Sequence, residues 1–129
     1  MEPARHTILV VDDDAEIRES IADLLQDEGY EVAVAANGRE ALDQIRAGLR
    51  PRLVVLDLMM PVMDGWQFLD ERARDAVLKS VPVVVVSATP ETLQPPETCA
   101  FIRKPMRLEL LLEVVGRECA HEETDVNRR

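Results

Sequence analysis

The strongest constraint on this chain is a series of short apolar runs alternating with stretches of helical periodicity. Two of these runs, "LVVL" (53–56) and the "VVVV" of "VPVVVV" (81–86), are apolar at every position. A strand with no polar face must be covered on both sides. "TILVV" (7–11), "EVAVA" (31–35) and "CAFIR" (99–103) complete five predicted strands. Between them, Ile17, Ile21, Leu24 and Leu25 recur at helical spacing, with Gly29 as the stop. "NGREAL" opens a second helix with Asn37 and Glu40 at capping-box spacing. "DGWQ" opens a third, capped by Asp64 with Gln67 three residues on, and its predicted inward face is Phe68, Leu69, Ala73 and Ala76. A last helix follows Pro105, with Leu108, Leu111, Leu112, Val115 and Cys119 on one side. Strands alternating with helices imply parallel pairing through right-handed crossovers, hence an α/β, doubly wound, five-stranded parallel sheet. The polar stretch "HEETDVNRR" predicts a fraying tail, so the division is a domain over 1–122 and a tail over 123–129.

Composition narrows the function classes. At 129 residues the chain is one domain by length. A net charge of −10 counts against direct nucleic-acid binding, which draws on Lys and Arg. No apolar stretch approaches the roughly 18 residues of a membrane span, and Asp12 cuts off the N-terminal apolar run before it resembles a signal sequence. Cys99 and Cys119, twenty positions apart, fit neither a zinc site nor a secreted disulfide scaffold, so a reducing cytoplasm is expected. His6 and His121 have no serine or cysteine motif near them, and no P-loop or dinucleotide fingerprint occurs.

In open parallel sheets, functional residues gather beyond the carboxyl ends of the strands. Those ends carry Asp12, Asp13 and Asp14 after the first strand, Asp57 after the third, Ser87 after the fourth and Lys104 after the fifth. Singly, each has an ordinary role: Asp13 or Asp14 caps the first helix, Ser87 closes a turn, Lys104 is a solvated charge. Asp57 resists this, because "LVVL" precedes it and Leu58-Met59-Met60 follow. Carboxylates held about 4 Å apart repel by roughly 4 kcal/mol per pair at an effective dielectric near 20. Protonation, the Lys104 ammonium or a divalent cation would offset that. Hard oxygen donors without imidazole or thiolate suit Mg²⁺, which keeps positions open for phosphate. With a lysine and a hydroxyl beside it, this is a phosphoryl clamp, and the remaining carboxylate becomes a nucleophile.

"ILVVDDD", "VVLDLMMPVMDG", "VVVVSA" and "FIRKP", in this order and spacing, resemble the receiver domain of bacterial two-component response regulators over roughly residues 7 to 120. The resemblance implies the flavodoxin-like strand order 2-1-3-4-5. It puts Asp57 at the phosphoacceptor position, with Asp13 and Asp57 as direct Mg²⁺ ligands and Asp12 acting mostly through water. The Met59 backbone carbonyl completes the metal shell, and the Met60-Pro61 break turns the chain so that it faces the ion. Lys104 pairs with the phosphoryl group, its bond to Pro105 is cis, Ser87 is the switch hydroxyl, and Phe101 is the switch aromatic, here without a hydroxyl. It further implies a sensor histidine kinase or histidine phosphotransfer protein as donor, a downstream protein target, and no catalysis beyond the domain's own phosphorylation and dephosphorylation.

The chain departs from that pattern in one place. Only seventeen positions separate Ser87 from Lys104, and Pro90, Pro95 and Pro96 fall among them. Pro90 suits a helix start capped by Thr89, but Pro95 forbids more than about one turn. The fourth helix is therefore expected to be shortened or replaced by a loop. Leu110 and Val114 lie about 200° and 240° around the last helix from Leu108. With residues 88–98 they suggest a homodimer or partner contact. The competing reading is a pseudo-receiver that never carries phosphate and serves as a constitutive docking or dimerisation module; a Mg²⁺-dependent phosphohydrolase lacks a general acid/base. Met1 leading straight into the first strand, with a short tail, reads as a stand-alone unit.

Overall fold

The computed structural model describes residues 6–90, 93–95 and 98–127, with side chains to Cys119; Pro96 and part of the expected 88–98 contact lie outside the described residues. Five strands, β1 (Thr7–Val11), β2 (Glu31–Ala35), β3 (Leu53–Leu56), β4 (Val83–Ser87) and β5 (Ala100–Arg103), pair in parallel in the order β2-β1-β3-β4-β5. Four helices join or follow them: α1 (Ala15–Asp27), α2 (Gly38–Arg46), α3 (Gly65–Ala73) and α4 (Leu108–Asn127). The expected α/β sheet and its order are both present.

Each face of the sheet has its own core. Ile8, Val10, Leu53, Val55, Val84, Val86 and Ile102 point to the α1–α4 side, where Ile21, Leu25, Leu111 and Val115 meet them. Leu9, Val11, Val54, Leu56, Val83 and Val85 point to the other side, against Ala41, Leu42 and Ile45 of α2 and Phe68 of α3. Each fully buried Leu, Ile, Val or Phe contributes about 1.5–3 kcal/mol, which is why the wholly apolar strands end up central.

Local signals set the helix ends. The Asp14 side chain accepts from the amides of Glu16 and Ile17 and so caps α1. After α1, Gly29 takes φ 98°, and the Tyr30 amide donates back to Leu25 O at 3.1 Å. Asn37 caps α2 through the Glu40 amide, while the Glu40 carboxylate takes the amide of Ala36, one residue before the cap. Asp64 and Gln67 form a complete capping box on α3.

Three expectations need correction. The inward face of α3 is Phe68 and Arg72; Leu69 is half-buried, and Ala73 and Ala76 are exposed. The helix stops at Ala73, because Asp75 accepts from the amides of Val77 and Leu78 and starts a 3-10 turn, which drives Leu78 inward instead. Arg72 is buried by donating Nε and Nη2 to Val81 O at 3.1 and 2.7 Å. On α4 the core face runs through Leu111, Val114, Val115 and Cys119, while Leu108 is exposed. Angles measured from Leu108 therefore start from a residue off the core. Val114, 4% exposed, belongs to the interior and takes no part in the expected homodimer contact. The α4 backbone is helical to Asn127. Finally β4 ends on Ser87 rather than before it. As expected, no α-helix lies among the described residues between Ser87 and Ala100, where Leu93 N donates to Pro90 O at 2.9 Å.

Candidate functional site

The carboxyl edge of the sheet is built by backbone register. Val11 lies opposite both Ala35 and Leu56, Leu56 opposite Val85, and Ser87 opposite Arg103. The next residues extend those ladders: Asp12 N donates to Ala35 O at 3.1 Å, Asp57 N to Val11 O at 2.9 Å, and Lys104 N to Ser87 O at 2.9 Å. The side chains of Asp12, Asp57 and Lys104 are thus each carried by a residue whose amide is fixed to the neighbouring strand.

Carboxylate oxygens of Asp12, Asp13 and Asp57 lie within 4.8 Å of one another. Asp12 and Asp57 are buried and Asp13 is exposed. Lys104 reaches both buried acids, with Nζ 2.9 Å from Asp12 Oδ2 and 3.4 Å from Asp57 Oδ2. Asp12 is further fixed at both ends: its Oδ1 accepts from Asp14 N at 2.9 Å and its carbonyl accepts from Arg18 Nη1 at 2.8 Å. Asp57 Oδ1 accepts from Met59 N at 3.4 Å.

The electrostatics follow from burial. Burial pushes the Asp57 carboxyl above the ordinary aspartate value; the Lys104 charge opposes this and the Asp12 charge reinforces it. For Lys104, burial pulls the ammonium down, but the hydrogen bond to Asp12 and the two carboxylates outweigh it, and its pKa is raised. A single ammonium against three acids leaves the cluster net negative. The donors are all oxygen, with an exposed side at Asp13, and this suits a hard divalent cation such as Mg²⁺.

Ser87 and Phe101 lie on the same edge but are engaged elsewhere. The Ser87 hydroxyl, fully buried, donates to Thr89 Oγ1 at 3.0 Å and accepts from Thr89 N at 3.2 Å. Phe101, paired with Val85, is half-buried against the α2–α3 core. Met59 is exposed, and the Lys104–Pro105 bond is cis as expected.

Three participants escape the sequence patterns. Arg18 belongs to no motif that flags it, and Thr89 reads in sequence only as a helix cap before Pro90. Gly65 reads in sequence only as a helix start, but a Cβ there would lie 2.5 Å from Asp57 O and 2.8 Å from Leu58 Cα. The glycine lets α3 abut the residue that carries the central carboxylate.

Comparisons with known proteins agree with this geometry. The family model for the response regulator receiver domain matches residues 8–116. Response regulator Rre1 of Synechocystis is 41% identical over 115 residues, covering 84% of this chain and 49% of that protein. The DNA-binding response regulator MtrA of Mycobacterium bovis is 41% identical over 93 residues, covering 72% of this chain and 39% of MtrA. The chain thus spans half or less of the length of these relatives. Because MtrA is named a DNA-binding regulator, the expectation of no nucleic-acid partner finds no support. Among solved structures, the chemotaxis response regulator CheY4 of Vibrio cholerae superposes with a TM-score of 0.81 at 31% identity, covering 89% of this chain and 99% of that one. The response regulator TrrA of Thermotoga maritima, solved in complex with Mg²⁺-BeF, gives a TM-score of 0.76 at 31% identity, covering 88% and 98%. No helix among the described residues is long and apolar enough to cross a membrane.

Proposed function

The chain belongs to the response regulator receiver domain family, and from that premise we propose that it accepts a phosphoryl group on Asp57 from a sensor histidine kinase or histidine phosphotransfer protein. The observation that carries this reading is the convergence of the Asp12, Asp13 and Asp57 carboxylates with Lys104 Nζ. In the transfer, an Asp57 carboxylate oxygen attacks the phosphorus of a phosphohistidine. A P–O bond forms as the P–N bond breaks, and the imidazole nitrogen keeps the electron pair and takes a proton from solvent. Lys104 turns from its carboxylate partners toward the charge gathering on the phosphoryl oxygens. Asp12, Asp13, Asp57 and the Met59 carbonyl are the groups that would hold Mg²⁺. When bound, the ion supplies the positive charge that lets a dianionic donor approach three acids. Ser87 then donates its hydroxyl to the phosphoryl group, and Phe101 follows by repacking.

The domain turns over no substrate beyond its own aspartyl phosphate, and the changed surface is read by a downstream protein target in the cytoplasm. Residues 1–122 form the receiver unit and 123–129 a tail. The lack of an α-helix among the described residues between Ser87 and Ala100 favours the second reading, a constitutive docking module without phosphate. The complete acid–lysine set outweighs it, because a docking module has no need to hold buried acids together. Incubation with Mg²⁺ and acetyl phosphate, read by intact mass and Trp66 fluorescence, separates the two. A mass gain of one phosphoryl group that disappears in Asp57→Asn is expected; an unmodified wild-type chain with no affinity for the cation would refute the phosphoacceptor reading.

A further inference from the structure

Ser87 occupies an unusual position between a rigid strand and a loop. Its carbonyl accepts from Lys104 N at 2.9 Å, so its backbone is tied to the first residue after β5. Its hydroxyl is spent in the other direction, donating to Thr89 Oγ1 at 3.0 Å and accepting from Thr89 N at 3.2 Å. A serine has one O–H to donate. It cannot serve Thr89 and a phosphoryl oxygen at once, so the two arrangements exclude each other. Thr89 has little freedom to follow the hydroxyl, because Pro90 keeps the preceding residue out of helical conformation. Among the described residues between Pro90 and Ala100 there is no α-helix.

We infer that Thr89 is a positioning residue: its hydroxyl holds the Ser87 O–H away from the site, so that this bond must break before Ser87 can donate to a phosphoryl group. This rests on the reading of Asp57 as phosphoacceptor. A bond made only in the phosphate-free state opposes phosphoryl binding by its net free energy. Its removal raises affinity for a phosphoryl mimic by roughly 2- to 12-fold, the range for one ordinary hydrogen bond. Threonine side-chain shape is not the operative feature, so serine at position 89 substitutes for it and valine does not.

The test is a beryllofluoride titration of the full chain in Mg²⁺, followed by Trp66 fluorescence, on wild type, Thr89→Val, Thr89→Ser, Ser87→Ala and the Ser87→Ala/Thr89→Val pair. Thr89→Val is expected to bind 2- to 12-fold more tightly, Thr89→Ser to match wild type, and the valine effect to vanish in the Ser87→Ala background. A second arm needs no phosphoryl mimic: amide hydrogen exchange at Thr89 should accelerate at least about twofold in Ser87→Ala, which removes the acceptor of that N–H. Unchanged or weaker binding by Thr89→Val, an effect that survives Ser87→Ala, or unaltered exchange at Thr89 overturns the inference while leaving the phosphoacceptor reading intact. A wild-type chain that does not respond to beryllofluoride overturns both.

Discussion

Replacing glycine by alanine should have opposite consequences at positions 65 and 116, and the pair is a sharp probe of how the site is assembled. A Cβ on Gly65 would fall 2.5 Å from Asp57 O and 2.8 Å from Leu58 Cα, both backbone atoms that no rotamer change can move aside. Relief to the 3.0 Å lower limit of real contacts needs a displacement of about half an ångström. Overpacking of this kind costs about 1–3 kcal/mol. With an unfolding entropy of about 2.1 cal/mol/K per residue, each kcal/mol lowers Tm by roughly 4 °C in a chain of this length, so a fall of about 4–11 °C is expected. One of the displaced atoms is the carbonyl oxygen of Asp57 itself, so beryllofluoride affinity should fall as well. Gly116 lies within α4, and a Cβ there would have nothing within 4 Å, so alanine meets no obstacle. It should stabilise by about 0.5–1 kcal/mol through helix propensity. Scanning calorimetry and a mimic titration on both variants check this. A Gly65→Ala protein that melts and binds like wild type would refute the claim that α3 is seated on the Asp57 carbonyl.

Three further outcomes are expected. Asp57 has a raised pKa in the fold, so the folded state binds its proton more tightly than the unfolded chain does. Stability should therefore fall as pH rises from about 3.8 through the raised value, with the full penalty retained at neutral pH. In chelator at neutral pH, Asp57→Asn should then melt higher than wild type, and the gap should close as pH falls toward 3.8; a lower-melting Asp57→Asn at neutral pH contradicts this. Val62 is β-branched, 79% exposed and held at φ 68°, a conformation that costs ordinary residues about 1–2 kcal/mol and that Asn tolerates better. Val62→Asn should raise Tm by a few degrees, and a drop would argue against strain there. Val114→Glu should unfold the domain or lower its stability by several kcal/mol, since it buries an unpaired carboxylate against Leu111 and Val115; a well-folded Val114→Glu by circular dichroism would contradict the inward placement.

How much of this chain is legible depends on the kind of signal. All-apolar strands, capping pairs and an acid after an apolar run are local, and the parallel sheet, the α3 capping box and the gathering of Asp12, Asp13, Asp57 and Lys104 on one edge follow from them, whereas the strand order comes only with the receiver resemblance. Arg72 stays hidden because a buried guanidinium looks like a surface residue until its carbonyl partner, Val81 O, comes from a segment nine positions away. The phase of α4 is misleading because Leu108 is apolar yet exposed at the helix start. The Ser87–Thr89 pair depends on the path of a proline-rich loop, which side-chain types alone do not specify. Gly65 is visible as a residue but not as a contact, since its requirement comes from a carbonyl eight positions earlier.

The amides of Asp12, Asp57 and Lys104 are each the final rung between adjacent strands. The sheet therefore acts as a gauge: its backbone anchors are set in steps of the interstrand spacing of about 4.8 Å, one step from Asp12 to Asp57 and two from Asp57 to Lys104. A longer acid at position 57 would carry its charge past that mark with no backbone slack to draw it back. The frame tolerates exchange of what it displays, but not a change of reach.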